Sequence, residues 1–328
     1  MIQRLAGTVT SILVSPDFLP FLQALPGLDD LEVEAGFSEV RGDQSRQILH
    51  GADLANIVSL RTLSVSGKDP EQCIIEQLEL VTQLQALHLH SILAVPDTTL
   101  QCCSILPALT SMTLHFSRPS FECMLISQDP LWLLERCAGQ LQYLSLGSAY
   151  MEELSESPDQ LCKFPSLSRL VCLELHFFGP EYKCDGIELE FPSLQTLSVS
   201  FTSFARGSYP IWDLSKCSAL HTLALTFADA PDEQFGSHMV YDECPAFNLT
   251  GMTGVAAAEL HLTLDVHSQT HTVADFSEWT LKAVRVYNRR AASWHRVKGV
   301  RDLLGALLGE VSLDEITYND EPLGLQVI

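Results

Sequence analysis

The apolar residues of this sequence recur with a spacing that fits neither a helix nor a simple strand. In "FPSLQTLSVSF" they step by three, from Phe191 to Leu194 and Leu197, and then by two, to Val199 and Phe201. An amphipathic helix would keep returning at three and four residues, and a half-exposed strand would alternate throughout. The spacing therefore predicts a turn that leads into a short strand, with both sets of apolar side chains facing one core.

The same pattern recurs along nearly the whole chain. Clear copies are "LPGLDDLEV", "IVSLRTLSV", "VTQLQALHL", "LPALTSMTL", "AGQLQYLSL", "LSRLVCLEL" and "CSALHTLAL"; weaker ones are "AGTVTSILV", "MTGVAAAEL", "EWTLKAVRV" and "EVSLDEITY". From "LPGLDDLEV" to the end of the chain, the third apolar position of each copy is expected at residues 31, 63, 87, 112, 144, 173, 197, 223, 258, 284 and 316. One such unit cannot cover its own apolar edge, so the units are predicted to stack with neighbouring strands parallel.

The segments between the repeats are expected to return the chain along the outer side of the stack. "KDPEQCIIEQLELV" has Asp69 before Pro70, an N-cap followed by a first-turn proline, and therefore predicts a short helix. "DPLWLLERC" repeats that device at Asp129 and Pro130, and "VRDLLGALLGEV" has a helical apolar stripe. Short helices and loops are therefore expected opposite the strands.

The recurring LxxLxL core resembles leucine-rich repeat proteins over nearly the whole chain. The Asn or Cys that usually follows is mostly missing, since Ser200, Phe201 and Thr202 come after Val199, and the repeat lengths are irregular. Together with the "FPSL" openings, this is similar to the leucine-rich arrays of F-box proteins. The resemblance implies an α/β solenoid, a curved horseshoe with parallel strands on its concave face and short helices and loops on its convex face. A parallel β-helix of the kind found in carbohydrate-active enzymes is the structural alternative.

The chain is accordingly expected to form a single leucine-rich repeat domain over residues 1–328, with about 11 to 12 irregular repeats. Residues 300–328 are expected to act as a C-terminal capping region within it, because the end of a stacked array needs a polar cover.

Charge and cysteine content narrow the class of protein. The 328 residues carry a formal net charge of −22, which opposes binding to nucleic acid and to anionic membranes and favours a basic or mixed-charge protein partner. The ten cysteines include no CxxC pair, and no apolar run reaches the length of a membrane span. Reduced thiols and the lack of a clear secretion signal indicate a cytoplasmic or nuclear protein.

The positions that flank each LxL strand pair are expected to form the concave, partner-binding face. None of them is Leu, Ile, Val or Phe in the copies from "LPGLDDLEV" onward, which supports the assigned frame. In the weak copy "MTGVAAAEL" these positions are Ala257, Glu259 and His261. The residues predicted to contact the partner are Asp30, Glu32, Glu34, His88, His90, His115, Tyr143, Glu174, His176, Arg285 and Tyr287.

Histidines are concentrated on this predicted face. His88 and His90 share one strand, and His115 is expected on the next strand, roughly 4.8 Å from His90. Three imidazoles can hold a transition metal, but nearby carboxylate support is sparse, so a solvated polar surface with pH-sensitive partner contact is the favoured interpretation and no metal is expected. GxSxG, Walker-type, HExxH and GxGxxG motifs are all absent, so neither an enzyme nor a cofactor is predicted.

The basic residues are unevenly distributed. Seven of the 19 Lys and Arg residues lie between Lys282 and Arg301, which leaves 12 basic and 41 acidic residues elsewhere, a formal charge of −29. Arg289, Arg290, Arg296 and Lys298 form a candidate basic patch that either contacts a partner or neutralises the acidic array.

The predicted function is non-enzymatic protein binding. The resemblance implies the substrate-recruiting part of an F-box-type ubiquitin ligase adaptor, with ubiquitin ligase subunits among its partners. A stand-alone leucine-rich repeat scaffold or inhibitor is the alternative, and a β-helix enzyme that acts on carbohydrate is a further one.

Overall fold

A computed structural model provides the structure of the chain. It describes residues 11–14, 19–22, 25, 27–35, 47–67, 73–90, 93–95, 106–115, 132–147, 161–162, 164–178, 186–202, 211–228, 246–248, 252–265, 271–273, 279, 281–288, 316–318 and 321–322. The chain divides into two compact units: Met1–Glu153 with Leu167–Arg169, and Leu154–Ser166 with Leu170–Ile328.

A series of parallel strands runs through the first unit. The six strands lie in the order β1-β2-β4-β6-β8-β9, and each pairs in parallel with the next. Their bounds are β1 (Ser11–Val14), β2 (Asp30–Ala35), β4 (Thr62–Gly67), β6 (Ala86–His90), β8 (Ser111–His115) and β9 (Tyr143–Gly147). Every strand crosses to its neighbour through a return segment, as the repeat predicts.

A second series of strands runs through the second unit, in the order β11-β13-β15-β18-β20-β21-β22. The strands are β11 (Cys172–Phe178), β13 (Thr196–Thr202), β15 (Thr222–Ala228), β18 (Glu259–Asp265), β20 (Ala283–Asn288), β21 (Ile316–Tyr318) and β22 (Glu321–Pro322). All pairs are parallel except β21 with β22, which is antiparallel. Most of the predicted capping region 300–328 lies outside the described residues.

A tight turn before several of the described strands explains the step of three residues. The amide of Leu194 donates to the carbonyl of Phe191 at 3.0 Å, and the amide of Leu60 donates to the carbonyl of Ile57 at 2.9 Å. The turn brings the first and second apolar side chains of a repeat into the core. The carbonyl of Val171 then accepts the amides of both Gln195 and Thr196 from the next repeat, which continues the backbone ladder ahead of the strand.

The inward positions of the strands form the core. Leu87, Leu114, Leu144, Leu197 and Leu223, all predicted to be buried, are at most 1% exposed. Leu197 pairs with Leu223 and Val199 with Leu225, so apolar rows run across neighbouring strands. The weak N-terminal copy also keeps its frame, because Ile12 pairs with Leu31 and Val14 with Val33. The predicted burial and parallel pairing are confirmed.

The return segments contain short strands as well as helices. The first unit has β3 (Gln47–His50), β5 (Cys73–Glu76) and β7 (Leu93–Val95), which form a parallel sheet of their own. The second unit has a parallel sheet of β10 (Leu161–Cys162), β12 (Gly186–Glu188), β14 (Ile211–Asp213) and β17 (Met252–Thr253), and a parallel pair of β16 (Ala246–Asn248) and β19 (His271–Val273).

The described helices are few and short. They are Leu19–Leu22, Gly51–Ala55 and Trp132–Cys137, with a 3₁₀ helix at Leu78–Leu80. The helix expected in "DPLWLLERC" is therefore present. In "KDPEQCIIEQLELV" the helix prediction is wrong at Cys73–Glu76, which is a strand, because the run of β-branched Ile74 and Ile75 favours a sheet over a helix. The stripe in "VRDLLGALLGEV" lies outside the described residues.

The frame of one weak repeat differs from the sequence prediction by two residues. Leu223 pairs with Leu260, and Ala258, expected at that position, lies ahead of the strand. The outward positions of β18 are therefore Glu259, His261 and Thr263, whereas Ala257 is buried. Burying the methyl group of an alanine adds little to the free energy of unfolding. The strand is therefore positioned by the burial of Leu260 and Leu262 and not by the three alanines from 256 to 258.

Glycine permits a close backbone approach between two return segments of the first unit. A Cβ atom on Gly51 would lie 1.9 Å from the carbonyl oxygen of Gln77. Gln77 itself has a φ of 57°, in the left-handed region.

Within the described part of the chain, no helix combines the length and apolar character needed to cross a bilayer.

Candidate interaction surface

The outward side chains of β2, β4, β6, β8 and β9 form a polar surface in the first unit, here called the first polar face. Because parallel strands pair in register, these side chains form three rows across the strands. One row runs through Asp30, Thr62, Ala86, Ser111 and Tyr143; the next through Glu32, Ser64, His88, Thr113 and Ser145; and the third through Glu34, Ser66, His90 and His115. The predicted contact residues from Asp30 to Tyr143 therefore lie on one face.

Three histidines form a cluster on this face. We call His88, His90 and His115 the histidine patch. The Nδ1 atom of His88 lies 2.9 Å from the Oγ1 atom of Thr113, and the rings of His90 and His115 meet edge to face, with centroids 5.3 Å apart. The patch is therefore a packed arrangement of rings and hydroxyl groups rather than three independent side chains.

The hydroxyl groups beneath the patch are buried. Thr113 is 6% exposed and Ser145 is 1% exposed, although both lie in the outward rows. The Nε2 atom of His115 lies 2.9 Å from the Oγ atom of Ser145. The repeat frame predicts Thr113 and Ser145 at outward positions, but it does not predict their burial, because the covering of one strand's hydroxyl by its neighbour's imidazole depends on register and rotamer.

Burial and neighbouring charge act in opposite directions on the patch. Desolvation lowers the pKa of His88, the nearby His90 lowers it further, and Asp30 works against both. Desolvation also lowers the pKa of His90, against the raising effect of Glu32. The neutral imidazole is therefore favoured in the folded state, because partial removal of water penalises the charged form.

The outward side chains of β11, β13, β15, β18 and β20 form the second polar face. Glu174 and His176 are outward neighbours on β11, with 3.9 Å between the nearest nitrogen and oxygen atoms. The half-buried Cys172 begins the same strand, and its pKa is raised by burial and by the charge of Glu174. A high pKa keeps the thiol protonated and unreactive.

A charged cluster lies toward the other side of this face. The Nε2 atom of His261 is 3.0 Å from Glu259, and Arg285 approaches the same carboxylate at 3.6 Å. The hydrogen bond from His261 holds the pKa of Glu259 below its usual value, and the charge of Arg285 adds to the effect. The sequence already predicts these three residues on the outward face, but their contact depends on side-chain conformation, which periodicity does not give.

Arg285 and Tyr287 are outward on β20, as predicted, and pair with His261 and Thr263. The side chain of Arg285 is 46% exposed, so its guanidinium can contact a partner while it shares Glu259. The candidate basic patch of Arg289, Arg290, Arg296 and Lys298 lies outside the described residues.

Among the described side chains, no group of three or more His, Cys, Asp and Glu residues has the geometry to hold a metal ion. Comparison with models of known protein families gives no match, and comparison with curated proteins gives none either.

Proposed function

We propose that this chain is a protein-interaction module of the leucine-rich repeat type that binds its partner through the first polar face. The observation that carries the proposal is the row arrangement of the first polar face, on which outward Ser, Thr, His and acidic side chains lie in register over inward-facing apolar side chains. A wide surface of this kind suits a polar, hydrated protein contact rather than an enclosed small-molecule site.

The charges of the first polar face indicate the chemistry of the partner. Asp30, Glu32 and Glu34 lie together on β2, and Glu32 is exposed. On β1, which pairs with β2, Leu13 lies in the same row as Glu32 and is 57% exposed. Carboxylates beside an exposed aliphatic side chain favour a partner segment that carries both basic and apolar residues.

The role of this module in a cell follows from the resemblance. The "FPSL" openings, of which Phe191–Leu194 is one, together with irregular LxxLxL repeats, support an F-box-type ubiquitin ligase adaptor that recruits a substrate. Its partners would then include ligase subunits, in the cytoplasm or nucleus. A stand-alone scaffold or inhibitor uses the same surface without those subunits.

One observation favours a second candidate function. The return segments contribute parallel sheets of their own, such as β10-β12-β14-β17, and stacked parallel sheets are also the architecture of β-helix proteins that act on carbohydrate. Under this alternative the chain would bind or cleave a polysaccharide. The first candidate fits the polar faces better, since their rows carry few of the aromatic side chains on which sugar rings stack.

Quantitative affinity purification separates these candidates. The complete gene product and a Glu32→Lys/Glu34→Lys variant are purified in parallel from the native source, and the recovered proteins are compared by mass spectrometry. We expect a protein that is recovered with the parent and lost with the variant. Recovery of ligase subunits favours the adaptor, whereas the same partner without them favours the scaffold. Identical recovery by parent and variant, or turnover of a polysaccharide panel, contradicts the proposal.

A further inference from the structure

The charge of the first polar face comes from carboxylates and from the histidines of the patch. The described outward side chains of β2 contribute Asp30, Glu32 and Glu34, and those of β4 contribute Thr62, Ser64 and Ser66. On the other side of the patch, β8 contributes Ser111 and Thr113 and β9 contributes Tyr143 and Ser145. Neither lysine nor arginine is among the outward side chains of these described strands. The ionisable ones are the three carboxylates on β2, the three histidines and Tyr143, and β4 lies between the carboxylates and the histidines of β6.

We propose that the histidine patch is a proton-controlled switch of the first polar face, and that a basic partner held there at neutral pH is released on acidification. The partner half of this inference rests on the proposed function, whereas the charge switch does not. With the patch neutral, the face carries the charge of three carboxylates. Complete protonation of the patch would cancel it, which removes the attraction for a basic segment.

Protonation would change the hydrogen bonds and ring contacts of the patch as well as its charge. A protonated imidazole has two donor nitrogens and no acceptor, so Thr113 and Ser145 can then only accept from His88 and His115. Where the neutral ring nitrogen accepted from a buried hydroxyl, that hydroxyl must turn its hydrogen to another acceptor. The edge-to-face contact of His90 with His115 tolerates one cation over a neutral ring, but two cations at 5.3 Å repel. Protonation therefore rearranges the surface that a partner contacts.

The charge switch is tested by paramagnetic probes of opposite charge. Relaxation enhancements of backbone amides in β6 and β8 are measured with cationic aminomethyl-PROXYL and anionic carboxy-PROXYL at about pH 7.5 and about pH 5.5. The control is the variant His88→Gln/His90→Gln/His115→Gln, which retains hydrogen-bonding side chains. Each proton gained within roughly 8 Å of an amide should lower, by about twofold at physiological salt, the ratio of the relaxation enhancement from the cationic probe to that from the anionic probe.

A fall of about twofold or more in the parent, absent from the variant, supports the inference. An equal change in both proteins, or none in the parent, overturns it. If the triple variant does not fold, ring titration of the parent by histidine ¹³C NMR decides, because rings of the patch that stay neutral throughout that pH range overturn the switch directly.

The release of a partner is tested separately by affinity for the protein recovered at neutral pH. We expect the parent to lose at least about tenfold in affinity between the higher and the lower pH, and the triple variant, whatever its affinity at the higher pH, to lose much less over the same change. If the parent binds the partner with the same affinity at both pH values, the inference that acidification releases the partner is wrong. If the probes report the switch but the partner is insensitive to Glu32→Lys/Glu34→Lys, the proposed binding face fails while the charge switch stands.

Discussion

The Nε2 atom of His115 lies 2.9 Å from the Oγ atom of Ser145, and this hydroxyl is almost completely removed from solvent. The two residues lie on neighbouring strands, β8 and β9, so the bond joins successive repeats. A half-buried ring thus covers a buried polar atom. The two partners differ in what their removal leaves behind, because a ring nitrogen can turn to water whereas a buried hydroxyl cannot.

His115→Ala is therefore expected to destabilise the fold more than Ser145→Ala. The first change leaves the Ser145 hydroxyl without this partner and costs about 1–3 kcal/mol, while the second costs about 1 kcal/mol or less. Urea unfolding of the parent, both single variants and the double variant measures the coupling. Equal costs for the two single variants, with no coupling in the cycle, would contradict the assigned hydrogen bond.

The histidine patch predicts a pH-dependent stability. The folded-state pKa values of His88 and His90 lie below the ordinary value of 6.5, so the unfolded chain binds these protons more readily. Their contribution to the free energy of unfolding is therefore complete above pH 6.5 and is lost as the pH falls through the folded-state values.

The variant His88→Gln/His90→Gln should flatten the stability profile below pH 6.5 relative to the parent. The free energy of unfolding is measured by urea titration at closely spaced pH values, and His50→Gln on the outer strand β3 is the matched control. Because carboxylates also titrate at the acidic end, the comparison is the difference between profiles. A parent and double variant with parallel profiles would show that these rings are not protonation-sensitive in the fold.

The frame of β18 predicts a specific pattern of mutational costs. Leu262 is 1% exposed and pairs with Leu225, so Leu262→Ala should cost about 2–5 kcal/mol through lost burial and an unfilled cavity. Ala258 is only partly buried ahead of the strand, and Ala258→Ser should change stability by less than about 1 kcal/mol. Thermal or urea unfolding that ranks the two variants in the opposite order would favour the displaced frame.

The successes of the sequence analysis follow from strong hydrophobic contrast. Where Leu, Ile or Val alternates with Ser, Thr, Glu or His, a shift by one residue would bury polar groups, so the predicted inward positions at Leu87 and Leu197 are correct. Around residues 255–258 the sequence is Val followed by three alanines, which has little contrast. The frame then slips by two residues, because a shift of two keeps every side chain on its own face.

The outer strands and the side-chain contacts on the polar faces depend on pairing between segments that are far apart in the sequence. A strand as short as Gly186–Glu188 is stabilised by its parallel neighbour Ile211–Asp213, which lies more than twenty residues away in the sequence. The approach of His88 to Thr113 likewise requires the register of β6 against β8. Sequence periodicity predicts His88 and Thr113 at outward positions, but which side chains they contact depends on how the repeats stack.

The close approach at Gly51 predicts a further contrast. A methyl group there would meet the backbone carbonyl of Gln77, and backbone cannot move aside as the end of a side chain can. Gly51→Ala should therefore cost about 1–3 kcal/mol or more. Gly139→Ala is the matched control, since a Cβ atom at that position meets nothing within 4 Å. Comparable unfolding midpoints for both variants would contradict the packing of the helix Gly51–Ala55 against the 3₁₀ helix Leu78–Leu80.

The central claim is that a protein partner binds the first polar face through its carboxylates, and the most direct measurement is partner affinity for charge-reversal variants. Glu32→Lys/Glu34→Lys changes the face, and Glu76→Lys/Glu135→Lys makes the same charge change on the outer strand β5 and on the helix Trp132–Cys137. Isothermal titration at low and moderate salt should show a loss of about tenfold or more, and a weaker salt dependence, for the face variant alone. Equal affinities for the two folded variants would contradict the account.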